Sequence, residues 1–396
     1  CTSHLQRMCL MALSGAFSTT PTAALEALFD VAPLHIHLEQ EALSCAYRLW
    51  VLGLWDANPV NRNSTHTSLL PRMVQWDKYI LAPSDLTFNS SFPYRTFTAR
   101  FPLRDEWTSG YLERSISDSI VCYTDGSLFE GRAGAGVYSR ELRLQQFYSL
   151  GRYCTVFQAE IFAIMCGVQS ALHQNVMGKV IYFCSDSQAA IKALTSASSR
   201  SKIVIVCRTQ IEELNSVNTV HLLWVPSHSF IAGNEWADEL ARTGASFDFT
   251  GPEPAIPISA CWVKQKISSW ASTQHKQFWN SLESCRQTKL YLNEPSSDVA
   301  KYLTHLSKRN CSILVKALTG HCRLNYHMAN IQQVESSLCD SCESDYGTSY
   351  HLICNCPAAA QLRFRIFGKH LLSEIDFKKL NLKDILLFLT QCGKEL

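Results

Sequence analysis

The chain has 396 residues, of which 46% are hydrophobic and 18% are charged, so it has enough apolar side chains for packed cores and is not wholly disordered. Its formal net charge of +2 neither requires nor excludes a nucleic-acid partner. The sequence has no run of about twenty apolar residues and no secretory leader. We therefore expect two or three domains in an intracellular protein that is not secreted and has no membrane partner, in the nucleus or the cytoplasm.

The cysteine content favours thiols over disulfides. The 17 cysteines are an odd number and are widely scattered, and no secretory signal accompanies them. This usage indicates reduced thiols, with a metal site as a further use for some of them.

Residues 1–115 predict a helical segment followed by a connecting stretch. The sequence Thr-Thr-Pro-Thr at 19–22 is a typical helix start, and apolar residues follow it at helical spacing. A second amphipathic run covers residues 38–50. Residues 56–115 contain five prolines among many Ser, Thr and Asn residues, so we expect little regular structure there.

Residues 117–246 predict a mixed α/β domain. Apolar and β-branched runs predict strands at about 119–123, 133–139, 143–150, 180–184 and 219–225, and helical spacing predicts helices at about 157–172, 187–194, 202–214 and 234–243. The first three strands can form a meander, and the later strands alternate with helices. This order predicts a mixed five-stranded sheet flanked by helices.

Four acidic residues in this domain fall at positions where they can meet. Asp125 and Asp186 follow predicted strands, whereas Glu160 and Asp238 lie on predicted helices. Carboxylates gathered in one crevice repel one another unless a cation neutralises them, and Mg²⁺ prefers carboxylate, water and phosphate oxygens. Two such ions ~4 Å apart suit phosphodiester hydrolysis. His228, in the loop before the last helix, can shuttle a proton or help the product leave.

The four acids and the sequence WVPSHSFIAGNEWADELAR at 224–242 resemble the type 1 ribonuclease H family. The resemblance implies a ribonuclease H-like fold and Mg²⁺-dependent cleavage of the RNA strand of an RNA–DNA hybrid, with 3′-hydroxyl and 5′-phosphate products. It also implies that Asp125 bridges two Mg²⁺ ions. Asp238 then helps to hold the ion that activates water, while Glu160 and Asp186 hold the other.

The same resemblance assigns substrate contacts and shows departures from the family pattern. Ser127, Gln188 and Asn234 match positions that contact the backbone of the hybrid, including ribose 2′-hydroxyls. Ser227 and Phe230 stand where the loop beside His228 usually has glycine, and Val156 replaces an asparagine common in cellular members. The segment between Asp186 and His221 contains no long basic insertion for gripping substrate.

Two other readings of this domain remain open. A non-catalytic nucleic-acid-binding relic of a retroelement would keep the fold without the reaction. A DNA-cutting integrase or transposase on a related fold is less compatible, because such enzymes typically use three acids and lack the Gly-Asn-Glu-x-Ala-Asp helix.

Residues 255–396 predict a mainly helical region with a Cys/His cluster at 339–356. The set Cys339, Cys342, His351 and Cys356 has the spacing of a tetrahedral structural Zn²⁺ site. Cys354 competes for the fourth position, and the alternative is a group of buried free cysteines with a surface histidine. His321 and His327, just upstream, are interpreted as core or surface residues. Residues 247–396 carry 17 basic and 13 acidic side chains, a net charge of +4, which permits binding to another nucleic acid.

The order of these motifs resembles the C-terminal part of the polyprotein of non-LTR retrotransposons of the Jockey/I type. The sequence TTPTAALEALFDVAPLHIHLEQ at 19–40 resembles the end of their reverse transcriptase region, which makes residues 1–115 a reverse transcriptase remnant plus a linker. The polymerase Tyr/Phe-x-Asp-Asp box is not present in this sequence. Because the sequence also begins with Cys1, we expect a fragment or an incomplete gene product that does not polymerise by itself.

Overall fold

The computed structural model describes residues 2–54, 69–108, 110, 116, 118–227, 229 and 231–393. The chain divides into two compact units. One unit, here called the helical unit, combines Cys1–Glu41 with Ser268–Leu396, and the other, the sheet unit, is Ala42–Ile267. This grouping differs from the three predicted segments, because the N-terminal segment contributes residues to both units.

The helices occur throughout the chain. In order they are α1 (Thr2–Ser14), α2 (Thr22–Leu28), α3 (Leu34–Val51), α4 (Leu69–Trp76), α5 (Arg104–Thr108), α6 (Val156–His173), α7 (Gln188–Thr195), α8 (Lys202–Asn215), α9 (Ala232–Ser246), α10 (Ala260–Ser281), α11 (Arg286–Tyr291), α12 (Ser297–Thr304), α13 (Lys308–Thr319), α14 (Asn325–Asn330), α15 (Ala360–Phe367), α16 (Glu374–Lys378) and α17 (Leu382–Gln391). A π-helical turn at His351–Asn355 and a 3₁₀ turn at Pro357–Ala359 precede α15.

The strands lie in the sheet unit. They are β1 (Leu86–Ser91), β2 (Thr98–Arg100), β3 (Ile120–Phe129), β4 (Arg132–Ser139), β5 (Leu144–Gly151), β6 (Val180–Ser185), β7 (Ser198–Ser201) and β8 (Thr219–Trp224). The main sheet has the order β2-β8-β6-β3-β4-β5, and β1 pairs with β7 in a separate two-stranded sheet. The β3-β4-β5 meander is antiparallel, whereas β2-β8, β8-β6 and β6-β3 are parallel. The predicted mixed α/β fold is confirmed.

The sheet has six strands rather than the predicted five, and the extra strand comes from the stretch in which we expected little regular structure. Residues 69–108 instead form α4, β1, β2 and α5. Two hydrogen bonds to the buried Asp85 carboxylate anchor this stretch, from the Ile203 amide at 2.8 Å and the Ser201 hydroxyl at 2.6 Å. Strands of three to six residues whose partners lie about 110–120 positions away leave little periodic signal in the local sequence.

Strand β3 continues past Asp125, whereas the sequence predicted that it would end before that residue. Its parallel pairing with β6 stops at Thr124↔Ser185, but its antiparallel pairing with β4 continues to Phe129↔Arg132. The pairing with β4 holds the chain extended beyond the parallel part of the sheet. Asp125 therefore lies at the carboxyl edge of the parallel strands even though it is inside β3.

Helix α6 forms the centre of the core of the sheet unit. Its N-terminus has a capping box, in which the Thr155 side chain accepts from the Gln158 amide and the Gln158 side chain accepts from the Thr155 amide. By length and composition this helix could also cross a membrane, but 56% of it is buried inside the sheet unit. Such burial is usual for the core helix of an α/β domain.

Close packing of α9 on the sheet depends on the small residues of β4. A Cβ atom at Gly136 would lie 2.1 Å from the Ala237 carbonyl oxygen, so only glycine lets the helix backbone approach this closely. The AGAG sequence at 133–136 is thus explained by helix packing.

The helical unit has its own apolar core, which includes Trp279, Leu314, Ile353 and Phe388. The expected mainly helical C-terminal region is confirmed, since α10 to α17 supply most of its regular structure. A hydrogen bond from the Trp279 indole to the Asn293 carbonyl, 3.1 Å long, satisfies the polar atom of the largest buried side chain.

Candidate active site and candidate metal centre

Three of the four predicted acids come together at the carboxyl edge of the parallel strands. Asp125 lies on β3, Glu160 lies in the second turn of α6, and Asp186 directly follows β6. One carboxylate oxygen from each of them lies within 4.8 Å of the others. Such a distance is short enough for one divalent cation to bind oxygens from all three.

A glycine next to Asp125 makes this approach possible. A Cβ atom at Gly126 would lie 2.5 Å from the Glu160 amide nitrogen and 2.9 Å from its Cγ, closer than real Cβ atoms come. Any larger residue would push α6 away from β3. The Asp-Gly pair at 125–126 therefore has a structural reason, since the first residue supplies a carboxylate and the second lets Glu160 reach it.

The electrostatics of the cluster are unfavourable without a counter-ion. Asp125 and Glu160 are 6% and 7% exposed. Burial, and then the nearby charges of Asp186 and Asp238, raise the pKa of Asp125 to about 7. Burial followed by the charges of Asp125 and Asp186 raises the pKa of Glu160 well above its usual range, although hydrogen bonds from Gly126 and Ser185 oppose this shift.

The Glu160 carboxylate also has an oxygen without a partner. Oε2 is buried and makes no hydrogen bond with the described residues. Leaving a buried carboxylate oxygen unsatisfied is costly, and a hard cation is the ligand that relieves both this cost and the repulsion within the cluster. The residues present thus fit a divalent metal such as Mg²⁺.

Asp238 lies apart from the cluster of three. It lies in the second turn of α9, and its carboxylate accepts a hydrogen bond from Arg242 one turn further along. It is still near enough for its charge to raise the pKa of Asp125. Arg242 pairs with the Oδ2 atom of the carboxylate that the sequence predicted as a metal ligand.

The predicted substrate-binding residues lie on β3, α7 and α9 and differ in exposure. Ser127 is half-buried on β3. Gln188 is exposed at the start of α7, where its side chain accepts a 3.0 Å hydrogen bond from Lys192. Asn234 is buried in α9, and its Oδ1 has no hydrogen-bond partner within the described part of the chain.

The loop predicted to carry a proton shuttle is only partly described. His228 and Phe230 lie outside the described residues, so the predicted role of His228 stays a prediction. Ser227 is described, and its carbonyl accepts a 3.2 Å hydrogen bond from the Ser229 hydroxyl. Val156, the first residue of α6, is exposed.

The sequence analysis missed two residues that shape this site and an exposed aromatic residue of α9. One is Gly126, which the close approach of Glu160 requires, and another is Arg242, the partner of Asp238. The third is Trp236, which is 44% exposed and stacks on Tyr138 with ring centroids 6.0 Å apart and an interplanar angle of 18°. The signal for Trp236 was available, since it follows Asn234 by two residues in the recognised motif.

Comparison with known proteins identifies the domain that holds the carboxylates. The RNase H family matches residues 117–246. These residues form an RNase H domain. Mouse ribonuclease H1 is 31% identical over 148 residues, and the rat and human proteins are each 32% identical over 148 residues. In each case the matching part is 33% of this chain and 51% of the relative.

The match to relatives therefore concerns the RNase H domain, and the chain spans about half the length of the curated relatives that it matches. Among solved structures, the chain is similar to RNase H1 from the halophilic archaeon Halobacterium salinarum. That similarity has 25% sequence identity and a TM-score of 0.26, and it covers 32% of this chain and 96% of the archaeal chain.

The predicted zinc ligands form a second cluster, outside the RNase H domain. Cys339, Cys342, His351 and Cys356 each have a ligand atom within 4.8 Å of the others. The Cys342 sulfur lies 3.3 Å from His351 Nε2, and the sulfurs of Cys339 and Cys356 are 3.9 Å apart. Cys354 is fully buried in the core of the helical unit and does not belong to this group.

The surroundings of this cluster favour a metal-bound state. Hydrogen bonds, above all from Ser344, lower the pKa of Cys342 to about 6, which favours the thiolate that binds zinc. His351 Nδ1 lies 3.3 Å from the Asp345 carboxylate but has no hydrogen-bond partner among the described residues, so the hydrogen bond that often orients a ligating imidazole is not formed here. Three thiols and one imidazole within this distance of one another fit a tetrahedral Zn²⁺.

A buried arginine holds the segment that carries two of these ligands. Arg363 is 0% exposed, and its guanidinium donates to the carbonyls of Ile353 at 2.7 Å, Cys356 at 2.8 Å and Leu352 at 3.3 Å, as well as to that of His370. The Cys356 amide in turn donates to the His351 carbonyl at 2.7 Å. The π-helical turn and its arginine thus set the position of Cys356 relative to His351.

Proposed function

We propose that the RNase H domain of this chain is an Mg²⁺-dependent endonuclease that hydrolyses the RNA strand of RNA–DNA hybrids, leaving a 3′-hydroxyl and a 5′-phosphate. The observation that supports this proposal most is the close set of Asp125, Glu160 and Asp186, with a buried carboxylate oxygen that lacks a partner. The similarity of residues 117–246 to RNase H proteins gives the reaction class.

The carboxylates would hold the metal ions. Because these side chains are buried close together, the metal-bound site would be more stable than the metal-free one. When bound, two Mg²⁺ ions supply an activated water and stabilise the leaving oxygen of an in-line displacement. Asp125, Glu160 and Asp186 would hold them. Asp238 would join them. His228 would shuttle a proton or help the product leave.

The remaining polar residues would position the hybrid. Ser127 and Gln188 each follow one of the clustered acids by two residues, and Asn234 lies on α9 with Asp238. A hydroxyl and two amides can hydrogen-bond to sugar and phosphate atoms without reading a base, and a 2′-hydroxyl among these atoms distinguishes RNA from DNA. This arrangement favours recognition of the strand type over recognition of sequence.

The direct test is cleavage of a labelled RNA–DNA hybrid with and without Mg²⁺. Asp125→Asn removes one carboxylate charge at nearly constant volume and should abolish cleavage. Asp298→Asn makes the same chemical change at an exposed position of α12 and should cleave like the parent. Equal activity of Asp125→Asn and the parent would contradict the assignment.

The rival function is hybrid binding without chemistry, as expected for a retroelement relic. It predicts that parent and Asp125→Asn bind the hybrid, that neither cleaves it, and that Mg²⁺ has no effect on the substrate. The retained carboxylate cluster favours catalysis over this rival.

A second proposal concerns the Cys/His cluster, which would bind one structural Zn²⁺ through Cys339, Cys342, His351 and Cys356 and could add nucleic-acid affinity. Zinc measured by mass spectrometry should be one ion per chain in the parent and in the control Cys9→Ser, whose residue is exposed. It should fall in Cys356→Ser and be retained in Cys354→Ser. If Cys354→Ser lost zinc and Cys356→Ser retained it, the fourth zinc ligand would be Cys354 and not Cys356.

A third proposal is that the chain derives from the C-terminal part of a non-LTR retrotransposon polyprotein. The succession of an RNase H domain and a Cys-Cys-His-Cys cluster supports it. The test is the genomic sequence upstream of the codon for Cys1: an open reading frame with a Tyr/Phe-x-Asp-Asp box is expected, and an unrelated coding sequence there would oppose the proposal.

A further inference from the structure

The helical unit contains a cavity that none of the functions above uses. Its volume is about 190 Å³. It is lined from the start of α2, from α11, from the end of α13, from α14 and from the chain at 347–348, and the polar side chains in its wall include Arg286, Gln287, His321, Tyr326, His327 and Asn330. We call it the two-histidine cavity.

The wall of the two-histidine cavity has a positive bias. None of its lining residues, all of which are described, carries a carboxylate, whereas Arg286 contributes a guanidinium. Burial, followed by the charges of His327 and Arg7, lowers the pKa of His321 to about 4. Since burial is the larger cause, the His321 imidazole is neutral near pH 7, and Arg286 supplies the positive charge of the wall.

A hydrogen-bond chain fixes the state of the two histidines. His327 Nδ1 lies 2.8 Å from the Cys322 carbonyl, which can only accept, so this nitrogen carries the proton. Its Nε2 therefore accepts from the Thr19 hydroxyl at 2.9 Å, and that hydroxyl in turn accepts from His321 Nδ1 at 3.0 Å. Both rings are thus held in one orientation and one tautomer in their neutral forms.

The cavity wall also contains a donor with no acceptor. Gln287 Nε2 is buried and has no hydrogen-bond partner among the described residues. The left-handed Gly320 that ends α13 (φ 75°) allows this side chain to pack closely, since a Cβ atom there would lie 2.9 Å from Gln287 Cγ. A buried amide donor in the wall of a cavity is satisfied when the oxygen of a bound ligand accepts its hydrogen bond.

We propose that the two-histidine cavity binds a phosphate group, with Gln287 and Arg286 as its principal donors and Tyr326 and Asn330 completing the shell. A phosphate oxygen satisfies the orphaned Gln287 amide, and the exposed Arg286 guanidinium supplies the geometry and the charge that phosphate binding favours. The source of the phosphate is either a nucleic-acid strand or a free phosphate ion. The site is separate from the carboxylates of the RNase H domain.

The test uses the full chain, purified in the presence of Zn²⁺, in low salt and without added Mg²⁺. Two ligands are compared: a fluorescein-labelled single-stranded oligodeoxynucleotide, followed by anisotropy, and inorganic phosphate, followed by calorimetry. The variants are Arg286→Gln and Gln287→Glu. Arg309→Gln, an equal charge change at an exposed residue of α13 that does not line the cavity, is the matched control.

If the phosphate belongs to a strand, Arg286→Gln and Gln287→Glu should each weaken oligonucleotide binding by about tenfold, as expected for loss of a charge-assisted hydrogen bond, while Arg309→Gln stays within about twofold. If it is a free ion, the two variants lose phosphate binding and keep the oligonucleotide affinity of the parent. Unchanged affinities for both ligands in both variants overturn the proposal. An equal loss in Arg309→Gln also overturns it, because general charge would then explain the binding.

Hybrid cleavage measured on the same variants separates this proposal from the proposed nuclease. Arg286→Gln should cleave a labelled RNA–DNA hybrid at the same rate as the parent, because Arg286 lies outside the RNase H domain. A parent that binds phosphate in the cavity without cleaving hybrid would leave the cavity proposal intact and contradict the nuclease.

Discussion

In the absence of metal, raising the pH should lower the folding stability of the sheet unit. The Asp125→Asn variant should lose much less stability over the same pH range. The carboxyl group of Asp125 has a pKa raised from 3.8 to about 7, mainly by burial and then by the charges of Asp186 and Asp238. A folded-state pKa above the unfolded-state value means that the native state holds the proton more tightly. This contribution to stability is therefore fully present below about pH 4 and is lost as the pH rises through 7.

The size of the effect follows from the shift. A rise from 3.8 to about 7 corresponds to roughly 4 kcal/mol, at about 1.4 kcal/mol for each pKa unit. Glu160 is raised in the same direction, so both carboxyls weaken the metal-free fold in the neutral range. Mg²⁺ should reverse this trend, because it binds the ionised carboxylates and must displace their protons.

Calorimetric unfolding of the full chain between about pH 5 and pH 8, with and without Mg²⁺, measures this linkage. We expect the Tm of the sheet unit to fall with pH without Mg²⁺, and the stabilisation by Mg²⁺ to grow with pH. Asp125→Asn should show a flatter pH dependence and little response to Mg²⁺. A parent whose Mg²⁺ response is the same at both ends of the pH range would refute the reasoning, since no proton would then be displaced by the metal.

Three further predictions concern packing around the two clusters. Gly126→Ala should lower the rate of hybrid cleavage by about 100-fold, because the added Cβ would displace Glu160. A rate equal to that of the parent would show that Glu160 can keep its position despite the added Cβ. Arg363→Met should cost about 3 kcal/mol or more in urea unfolding, because several buried carbonyls lose their donor, and it should speed zinc release; unchanged stability would contradict this role. Asp85→Ala should lower the free energy of unfolding by about 1–2 kcal/mol, because the Ile203 amide at the start of α8 loses its acceptor. A smaller decrease in chemical denaturation would show that water replaces the carboxylate.

Local patterns predicted the elements whose signals are local. The helix expected at 157–172 spans Val156–His173, and the strand expected at 133–139 spans Arg132–Ser139. Both have a continuous apolar pattern and clear end signals, such as the Thr155 cap of the helix. An amphipathic run and its cap depend on neighbouring residues, so a single sequence is enough to find them.

The positions of the acidic side chains within the site depend on pairing with other side chains and strands, and the sequence predicted these positions less well than the helices and strands. The residue types of the four acids were recognisable, but the pairing of Asp238 with Arg242 was not anticipated, although these residues are one helical turn apart. The location of Asp125 inside β3 depends on which neighbouring strand continues to pair with it. Spacing alone cannot show on which side of a strand the pairing stops.

For the Cys/His cluster, too, the sequence predicted the kind of site but not all of its ligands. The spacing of the cysteines and the histidine predicted a metal site but left Cys354 and Cys356 as rivals. The π-helical turn at His351–Asn355 brings the Cys356 amide to the His351 carbonyl, and the Cys356 sulfur lies with the other ligand atoms of the cluster whereas that of Cys354 does not. A π-helical turn adds one residue to the usual helical period, so an α-helical projection of the sequence gives the wrong face.

The extent of the folding unit differs from the extent of the family match for a physical reason. The match begins at residue 117, yet the edge strand β8 is covered by β2, whose residues 98–100 precede it. The buried Arg208 of α8 donates to the Tyr94 carbonyl at 3.0 Å, and its guanidinium stacks over the Phe92 ring at 4.1 Å. Without residues 84–100, a parallel edge strand would be exposed and a buried guanidinium would lose partners, and both are destabilising. The clustered carboxylates can thus be recognised from residues 117–246, whereas the scaffold that holds their sheet begins earlier in the chain.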